Sequence, residues 1–140
     1  MSADELFREL AALLADDPSR VRRHAIAVLD VDGLTAINRE RGARAGDAVL
    51  AAVADALARE LRPGERAAWW AGDQYVALFP GIGRRQAIRR TRRILARLPV
   101  ALSAGVAAYP RDGESNAALV DVAGAALVCA KSGRRPTLCR

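Results

Sequence analysis

The chain has 140 residues, is 51% hydrophobic and carries a formal net charge of +6. This length corresponds to one domain with a core of its own, and no apolar run approaches the roughly 20 residues of a membrane-spanning helix. The first five residues lack the basic and then apolar layout of a signal peptide. We therefore expect a cytoplasmic protein with no membrane partner.

The positive charge comes almost entirely from arginine, because Lys131 is the only lysine. Clustered arginines can neutralise nucleic-acid phosphates, but only 4% of the residues are aromatic, and single-stranded bases need such platforms. We therefore do not expect a nucleic-acid partner. The two cysteines and the single histidine exclude a zinc ligand set, and Cys129, in an apolar helical pattern, is predicted to be a buried thiol.

The N-terminal segment is predicted to be a helix. Ser2 and Glu5 have the spacing of a capping box, and apolar residues then recur at helical intervals. This helix could pack on the rest of the chain or mediate pairing with another chain. We assign residues 1–22 to the helix and its connector, and residues 23–140 to the main domain.

The main domain begins with a continuous apolar run, Ala25–Val31, which is typical of a strand covered on both faces. The order of the later segments predicts β-α-α-β-β-α-β-α-β, an α/β (α+β) fold with a mixed sheet of about five strands and covering helices. The later segments are helices over 33–41 and 45–61, a hairpin over 66–79, a helix over 84–98, a strand over 99–108, a helix over 117–130 and an edge strand over 136–139.

Acidic residues stand at two predicted turns. Gly72 and Asp73 separate the two strands of the hairpin, which places Asp73 at its tip, while Asp30 and Asp32 end the first strand. If the hairpin lies beside that strand, the carboxylates converge and could hold Mg²⁺ or Mn²⁺ for phosphoryl transfer. Taken singly, Asp30 and Asp32 could instead cap the next helix, and Asp73 could simply form the turn.

Taken together, the motifs resemble the GGDEF family, the diguanylate cyclases, from about residue 25 to residue 135. Five segments match the successive motifs of that family in order. They are Asp30-Val31-Asp32 followed by Asn38, Gly46-Asp47, Ala71-Gly72-Asp73-Gln74-Tyr75, Ser103-Ala104-Gly105-Val106-Ala107 and Ala130-Lys131-Ser132-Gly133-Arg134.

The resemblance implies a palm-like domain that condenses two GTP molecules, one on each chain of a homodimer, into cyclic di-GMP. It also implies a role for each matching residue. By this matching, Asp30, Asp73 and the Val31 carbonyl would bind the metals. Asn38 and Asp47 would bind guanine, Gly72, Leu34 and Thr35 would contact the substrate, and Lys131 and Arg134 would hold phosphates. Arg62 and Glu65 would form an inhibitory site for cyclic di-GMP.

The signature departs from the family pattern at several positions. Ala71 replaces the first glycine, Gln74 the glutamate and Tyr75 the phenylalanine, Trp69 stands where arginine is usual, and Leu34-Thr35 replaces Phe-Lys. Three hypotheses therefore stay open. The chain is an active diguanylate cyclase, which is our first expectation, or a degenerate module that binds GTP or cyclic di-GMP, or a palm-type cyclase with a different cyclic nucleotide product.

Overall fold

The computed structural model describes residues 1–132 and the backbone of residues 138–139. The order of elements matches the predicted order, and the predicted N-terminal helix is present. The elements are α1 Ala3–Ala15, β1 His24–Val31, α2 Leu34–Arg41, α3 Ala43–Glu60, β2 Arg66–Ala71, β3 Gln74–Pro80, α4 Arg84–Leu95, β4 Leu102–Tyr109, α5 Asn116–Ser132 and β5 Leu138–Cys139.

The sheet has five strands in the order β2-β3-β1-β4-β5. Strand β1 lies at the centre and runs antiparallel to β3 and β4, while β5 runs parallel to β4. The predicted mixed sheet is therefore confirmed. All eight residues of β1 are buried, as expected for a strand that is covered on both faces.

The core consists of two layers, one on each face of the sheet. Successive side chains of a strand point to opposite faces, so the odd-numbered residues of β1 pack with α3 and α4. Ile26 and Val28 pack on the other face, against Leu6 and Leu10 of α1 and Leu119 of α5. Helix α1 thus packs on the domain, which is one of the two arrangements that the sequence left open.

Helix and strand ends follow local chemistry. Ser2 accepts from the Glu5 N–H at 3.1 Å, and the capping box is complete. Helix α4 ends at Leu95 and β4 begins at Leu102. The predicted helix over 84–98 and the predicted strand over 99–108 therefore both extended too far into the loop between α4 and β4. Pro99 explains both differences, because it disfavours helix at the preceding residue and cannot donate to a sheet ladder.

Helix α5 approaches β4 very closely at Gly105. A Cβ atom on Gly105 would lie 2.0 Å from the Ala123 carbonyl oxygen and 2.4 Å from the Leu127 nitrogen. Only glycine leaves room for the helix backbone at this position. This contact fixes the height of α5 above the sheet, and α5 carries Lys131 in its last turn.

The prediction of a buried Cys129 thiol was wrong. Cys129 is exposed on α5, because the buried side of this helix follows Ala123, Leu127 and Ala130. In the part of the chain that the structure describes, no helix combines the length and the apolar character that a membrane span requires.

Candidate functional site

The hairpin tip lies beside the end of β1, as predicted. In the strand register Asp30 faces Gln74 of β3 on one side and Ser103 of β4 on the other. The Val31 N–H donates to the Asp73 carbonyl oxygen at 3.1 Å. Gly72 has φ +53°, a conformation that glycine adopts without steric cost. The central strand therefore holds the turn in place through its backbone.

Burial and the carboxyl group of Asp73 both affect the pKa of Asp30. Asp30 is only 8% exposed, and this burial raises its pKa above the usual range. The nearby Asp73 carboxyl raises the pKa of Asp30 further, while the Lys131 ammonium opposes the rise. Two close carboxylates disfavour the ionisation of both unless a cation is present. The site thus attracts positive charge.

Lys131 supplies such a charge from α5. Its Nζ atom lies 3.0 Å from Asp30 Oδ2 and 4.0 Å from Asp32 Oδ1. The resemblance had implied a phosphate contact for this lysine. In the structure its ammonium group contacts the acids, and its side chain is 37% exposed, which leaves it within reach of a ligand.

Two carboxylate oxygens at this site have no hydrogen-bond partner. They are Asp30 Oδ1 and Asp32 Oδ2, both buried, whereas Asp32 Oδ1 accepts from the Ser103 hydroxyl at 2.9 Å. The N-cap residue of α2 is Gly33, with no side-chain cap. The alternative that Asp30 and Asp32 cap the next helix is therefore wrong, and the free oxygens remain available to a cation.

The residues present fit a divalent metal. The Asp30 and Asp73 carboxyls and the Val31 carbonyl offer the oxygen ligands that Mg²⁺ prefers, and Mg²⁺ is usually held by one or two carboxylates together with water and substrate phosphates. Within residues 1–132, no three side chains of His, Cys, Asp or Glu group as a metal cluster. An ion here would thus complete its shell from water or substrate.

The two residues matched to guanine binding lie on the helices that follow β1. Asn38 is exposed on α2 and Asp47 is exposed in the first turns of α3. Asn38 lies directly over Gly46, because a Cβ atom on Gly46 would be 1.7 Å from Asn38 Oδ1. Of the two residues matched to further substrate contacts on α2, Leu34 is buried and Thr35 is exposed.

Two of the substituted residues, Tyr75 and Trp69, form side-chain hydrogen bonds to backbone carbonyl groups. The Tyr75 side chain is buried, and its hydroxyl donates to the Leu50 carbonyl at 2.7 Å. Trp69 is 54% exposed, and its indole N–H donates to the Gly72 carbonyl at 2.8 Å. The tryptophan in place of the usual arginine thus contacts the backbone of the turn.

The residues matched to an inhibitory site are joined to α4 by a buried ion pair. The Glu65 carboxylate accepts from Arg90 through Nη2 at 2.8 Å and Nε at 3.0 Å, and from the Arg62 N–H at 2.7 Å. Arg90, 7% exposed, also donates to the Glu60 carbonyl. Arg90 was not among the predicted site residues, although its helical spacing from the buried residues Ala87 and Ile94 indicates a position on the buried face of α4. Arg134 lies outside the described residues.

Comparison with known proteins decides the family. A sequence model of the family described as "Diguanylate cyclase, GGDEF domain" matches residues 4–137. The chain belongs to this family. The GGDEF domain of YfiN (TpbB) from Pseudomonas aeruginosa superposes with a TM-score of 0.86 at 27% identity, over 99% of this chain and 96% of that one. The palm-like fold implied by the resemblance is thus confirmed.

Two curated relatives of this GGDEF domain come from Pseudomonas aeruginosa. The bifunctional diguanylate cyclase/cyclic di-GMP phosphodiesterase MucR is 31% identical over 97% of this chain and 21% of its own length. The diguanylate cyclase DgcP is 33% identical over 81% of this chain and 18% of its own length. The chain therefore spans about a fifth of the length of each relative.

Proposed function

We propose that this GGDEF domain is a metal-dependent diguanylate cyclase that condenses two GTP molecules into cyclic di-GMP. The observation that carries the proposal is the convergence of Asp30, Asp73 and Lys131 at one end of β1, with a carboxylate oxygen of Asp30 left without a partner. Residues 23–140 would form the cyclase part, with residues 1–22 as its N-terminal helix and connector, and the reaction would take place in the cytoplasm.

In this proposal Asp30, Asp73 and the Val31 carbonyl hold Mg²⁺ or Mn²⁺. The bound ion would stabilise charge on the phosphate oxygens and favour the 3′-hydroxyl as nucleophile toward the α-phosphate. Lys131 already lies 3.0 Å from Asp30. With the charge of Asp30 balanced by a divalent ion, Lys131 would be able to contact a phosphate, together with Arg134, as the motif match implies.

Asn38 and Asp47 would select guanine. A carboxylate accepts from the N1–H and N2–H₂ donors of guanine, and an amide can both donate and accept. Adenine would leave these groups unpaired at a cost of about 1–3 kcal/mol. The substrate GTP would contact Gly72 at the hairpin turn, and Leu34 and Thr35 in the first turn of α2. Each chain carries one set of these residues, so we propose a homodimer that brings two GTP molecules together.

A second candidate function is a degenerate module that binds GTP or cyclic di-GMP without turnover. The neutral Gln74 and the added methyl group of Ala71 at the turn favour it, since both alter the signature. Cyclic di-GMP would then bind beside Arg62, whose side chain is exposed, while Arg90 holds Glu65. A palm-type cyclase with a different cyclic nucleotide product is the third candidate.

The deciding experiment incubates the protein with each of the four nucleoside triphosphates and Mg²⁺ or Mn²⁺, and identifies products by mass spectrometry. Asp73→Ala and Asp30→Ala should abolish turnover, while Asp55→Ala, the same change on the exposed side of α3, should leave it unchanged. Cyclic di-GMP from GTP alone supports the cyclase. Bound but unconverted GTP supports the module, and a product from another nucleotide supports the third candidate.

A further inference from the structure

A concave site lies at the end of the sheet opposite the acidic residues. Here β1 begins at His24, which pairs with Pro80 of β3 and Tyr109 of β4. Six residue steps separate His24 from Asp30, which at about 3.3 Å per residue is about 20 Å. A cleft of about 710 Å³ opens at this end, and we call it the basic cleft; its arginines are Arg20, Arg22, Arg23, Arg84, Arg85 and Arg111.

Most of these arginines have no carboxylate of their own. Arg20 pairs with Glu114 at 2.8 Å and Arg84 approaches Asp112 at 3.9 Å. The other four form no ion pair with any described residue. The remaining acid nearby is Asp17, and its carboxylate already accepts from the Val21 and Arg22 N–H groups and the Tyr109 hydroxyl.

Six guanidinium groups around one concavity therefore face three carboxylates, each of which is already engaged. Like charges that converge repel one another, and a cleft lined by one sign of charge concentrates its potential on counter-ions. An anion in the basic cleft would relieve this repulsion. These arginines come from three separate segments of the chain and line one cleft.

The backbone contributes to the same site. Helix α4, twelve residues long, begins at Arg84 after Gly83, and no side chain caps it. Arg23 lies across Gly83, because a Cβ atom there would be 3.1 Å from Arg23 Cδ and 3.4 Å from Nη1. Glycine thus lets a guanidinium approach the start of a helix whose free N–H groups and dipole favour negative charge.

We propose that the basic cleft binds a small oligophosphate anion, either inorganic or carried by a nucleoside. Guanidinium forks match phosphate oxygens in pairs, and the cleft volume falls in the range of small-molecule sites. The aromatic residue at the cleft, Tyr109, is buried, so the cleft lacks the exposed platform on which nucleic-acid bases stack. These observations favour a compact phosphate chain over a nucleic-acid strand.

Calorimetric titration with inorganic tripolyphosphate tests the proposal. The buffer contains EDTA, which removes divalent ions and so suppresses metal-dependent binding at the acidic site. It also contains salt at roughly physiological concentration, which screens weak contacts between surface charges. The double variant Arg23→Gln/Arg85→Gln should weaken binding by about tenfold or more, because each lost charge-assisted hydrogen bond is a strong one. The matched control Arg8→Gln/Arg59→Gln removes two exposed arginines elsewhere that form no ion pair with the described residues, and its affinity should stay within about twofold.

Equal weakening in both double variants would reduce the effect to overall charge and overturn the proposal. A second measurement uses the unaltered chain and therefore does not depend on whether a variant folds. Hydrogen exchange with and without tripolyphosphate should show protection at residues 20–23 and 83–86. Protection confined to residues 62–65 or to the acidic site would also overturn it.

GTP and ATP titrations in the same buffer distinguish the two sources of the anion. Affinities equal to that of tripolyphosphate, with the same loss in the cleft variant, indicate that the phosphate chain alone is bound. Tighter binding of a nucleoside triphosphate, again lost in the cleft variant, indicates a nucleotide. A single-stranded oligonucleotide is titrated in the same way. If it binds more tightly than tripolyphosphate and the nucleoside triphosphates, and the cleft variant loses this binding, the proposal of a small anion is contradicted.

Discussion

Asn38 occupies the space that a side chain at Gly46 would need. A Cβ atom on Gly46 would lie 1.7 Å from Asn38 Oδ1 and 2.8 Å from its Cγ. Gly46 precedes Asp47, the other residue that we assign to guanine. The glycine in this motif therefore leaves room for the amide of Asn38 against α3.

We predict that Gly46→Ala displaces the Asn38 side chain and lowers the affinity for GTP by about tenfold, the effect of one to two lost hydrogen bonds. The affinity for ATP should hardly change. Calorimetry with both nucleotides measures this difference. Gly124→Ala, also inside a helix but with no atom within 4 Å of its Cβ, is the control and should bind GTP normally. An unchanged preference for GTP in Gly46→Ala would show that Asn38 does not read the base.

Restoring the signature should increase turnover. In Gln74→Glu a carboxylate joins Asp30 and Asp73, which strengthens the attraction for a second divalent ion, and the added Ala71→Gly change frees the backbone of the turn. We expect the double variant to form cyclic di-GMP several times faster, by mass-spectrometric product assay. Its rate should also rise more steeply than linearly with protein concentration, since two chains must meet.

No turnover by the restored variant, with GTP still bound, would place the defect elsewhere and favour the binding module. Trp69 is then the first position to change. Trp69→Phe keeps the ring but removes the hydrogen bond to the Gly72 carbonyl, whereas Trp69→Arg restores the residue usual in the family.

Lys131 competes with a metal ion for Asp30, because its ammonium lies 3.0 Å from Asp30 Oδ2. In Lys131→Gln the competing charge is gone, so Mn²⁺ should bind more tightly in the absence of nucleotide, while the affinity for GTP should fall. Electron paramagnetic resonance measures the first quantity and calorimetry the second. Loss of both affinities together would mean that Lys131 supports the site only structurally.

His24 should make the stability pH-dependent. Burial lowers the pKa of His24 below the ordinary 6.5; the Asp17 carboxylate raises it and Arg22 lowers it. The Nδ1 atom of His24 accepts a hydrogen bond from the Gly81 N–H at 3.0 Å. The unfolded chain therefore binds a proton at a higher pH than the folded chain does. Stability is complete above about pH 6.5 and declines as the pH falls toward the lower folded pKa.

His24→Phe should remove this component of the pH dependence. Urea unfolding at pH 7.5 and pH 5.5 should show a smaller difference in the variant than in the unaltered chain. The protonation of Asp17 does not affect this comparison of stabilities at pH 7.5 and pH 5.5. Burial raises its pKa, but hydrogen bonds from Arg22, Tyr109 and Val21 outweigh this and keep it below 3.8, so its effect begins near that lower pH. An identical pH dependence in His24→Phe would disprove the assignment.

Gly105→Ala should destabilise the fold, because its Cβ would overlap the backbone of α5 at Ala123 and Leu127. Overpacking against a rigid backbone costs about 1–3 kcal/mol, measurable by urea unfolding. Gly124→Ala makes the same change without an overlap and should raise stability by about 0.5–1 kcal/mol. Equal stabilities of the two variants would mean that α5 can shift freely on the sheet.

The sequence by itself determined the elements and the family. The apolar run of β1, the Gly72-Asp73 turn and the motif order are local patterns, and each is decided by the chemistry of neighbouring residues. The sequence predicted the convergence of Asp30 and Asp73 only on the condition that the hairpin lies beside β1, and the pairing of β3 with β1 meets that condition.

Only the tertiary structure decided which distant groups meet. Arg90 is buried because the turn before β2 brings Glu65 against α4. Lys131 contacts Asp30 because Gly105 allows α5 to pack closely on β4. Asn38 fills the space beside Gly46. The basic cleft joins arginines from three segments, around residues 20–23, 84–85 and 111. Such contacts depend on how whole elements pack, and no spacing along the chain encodes them.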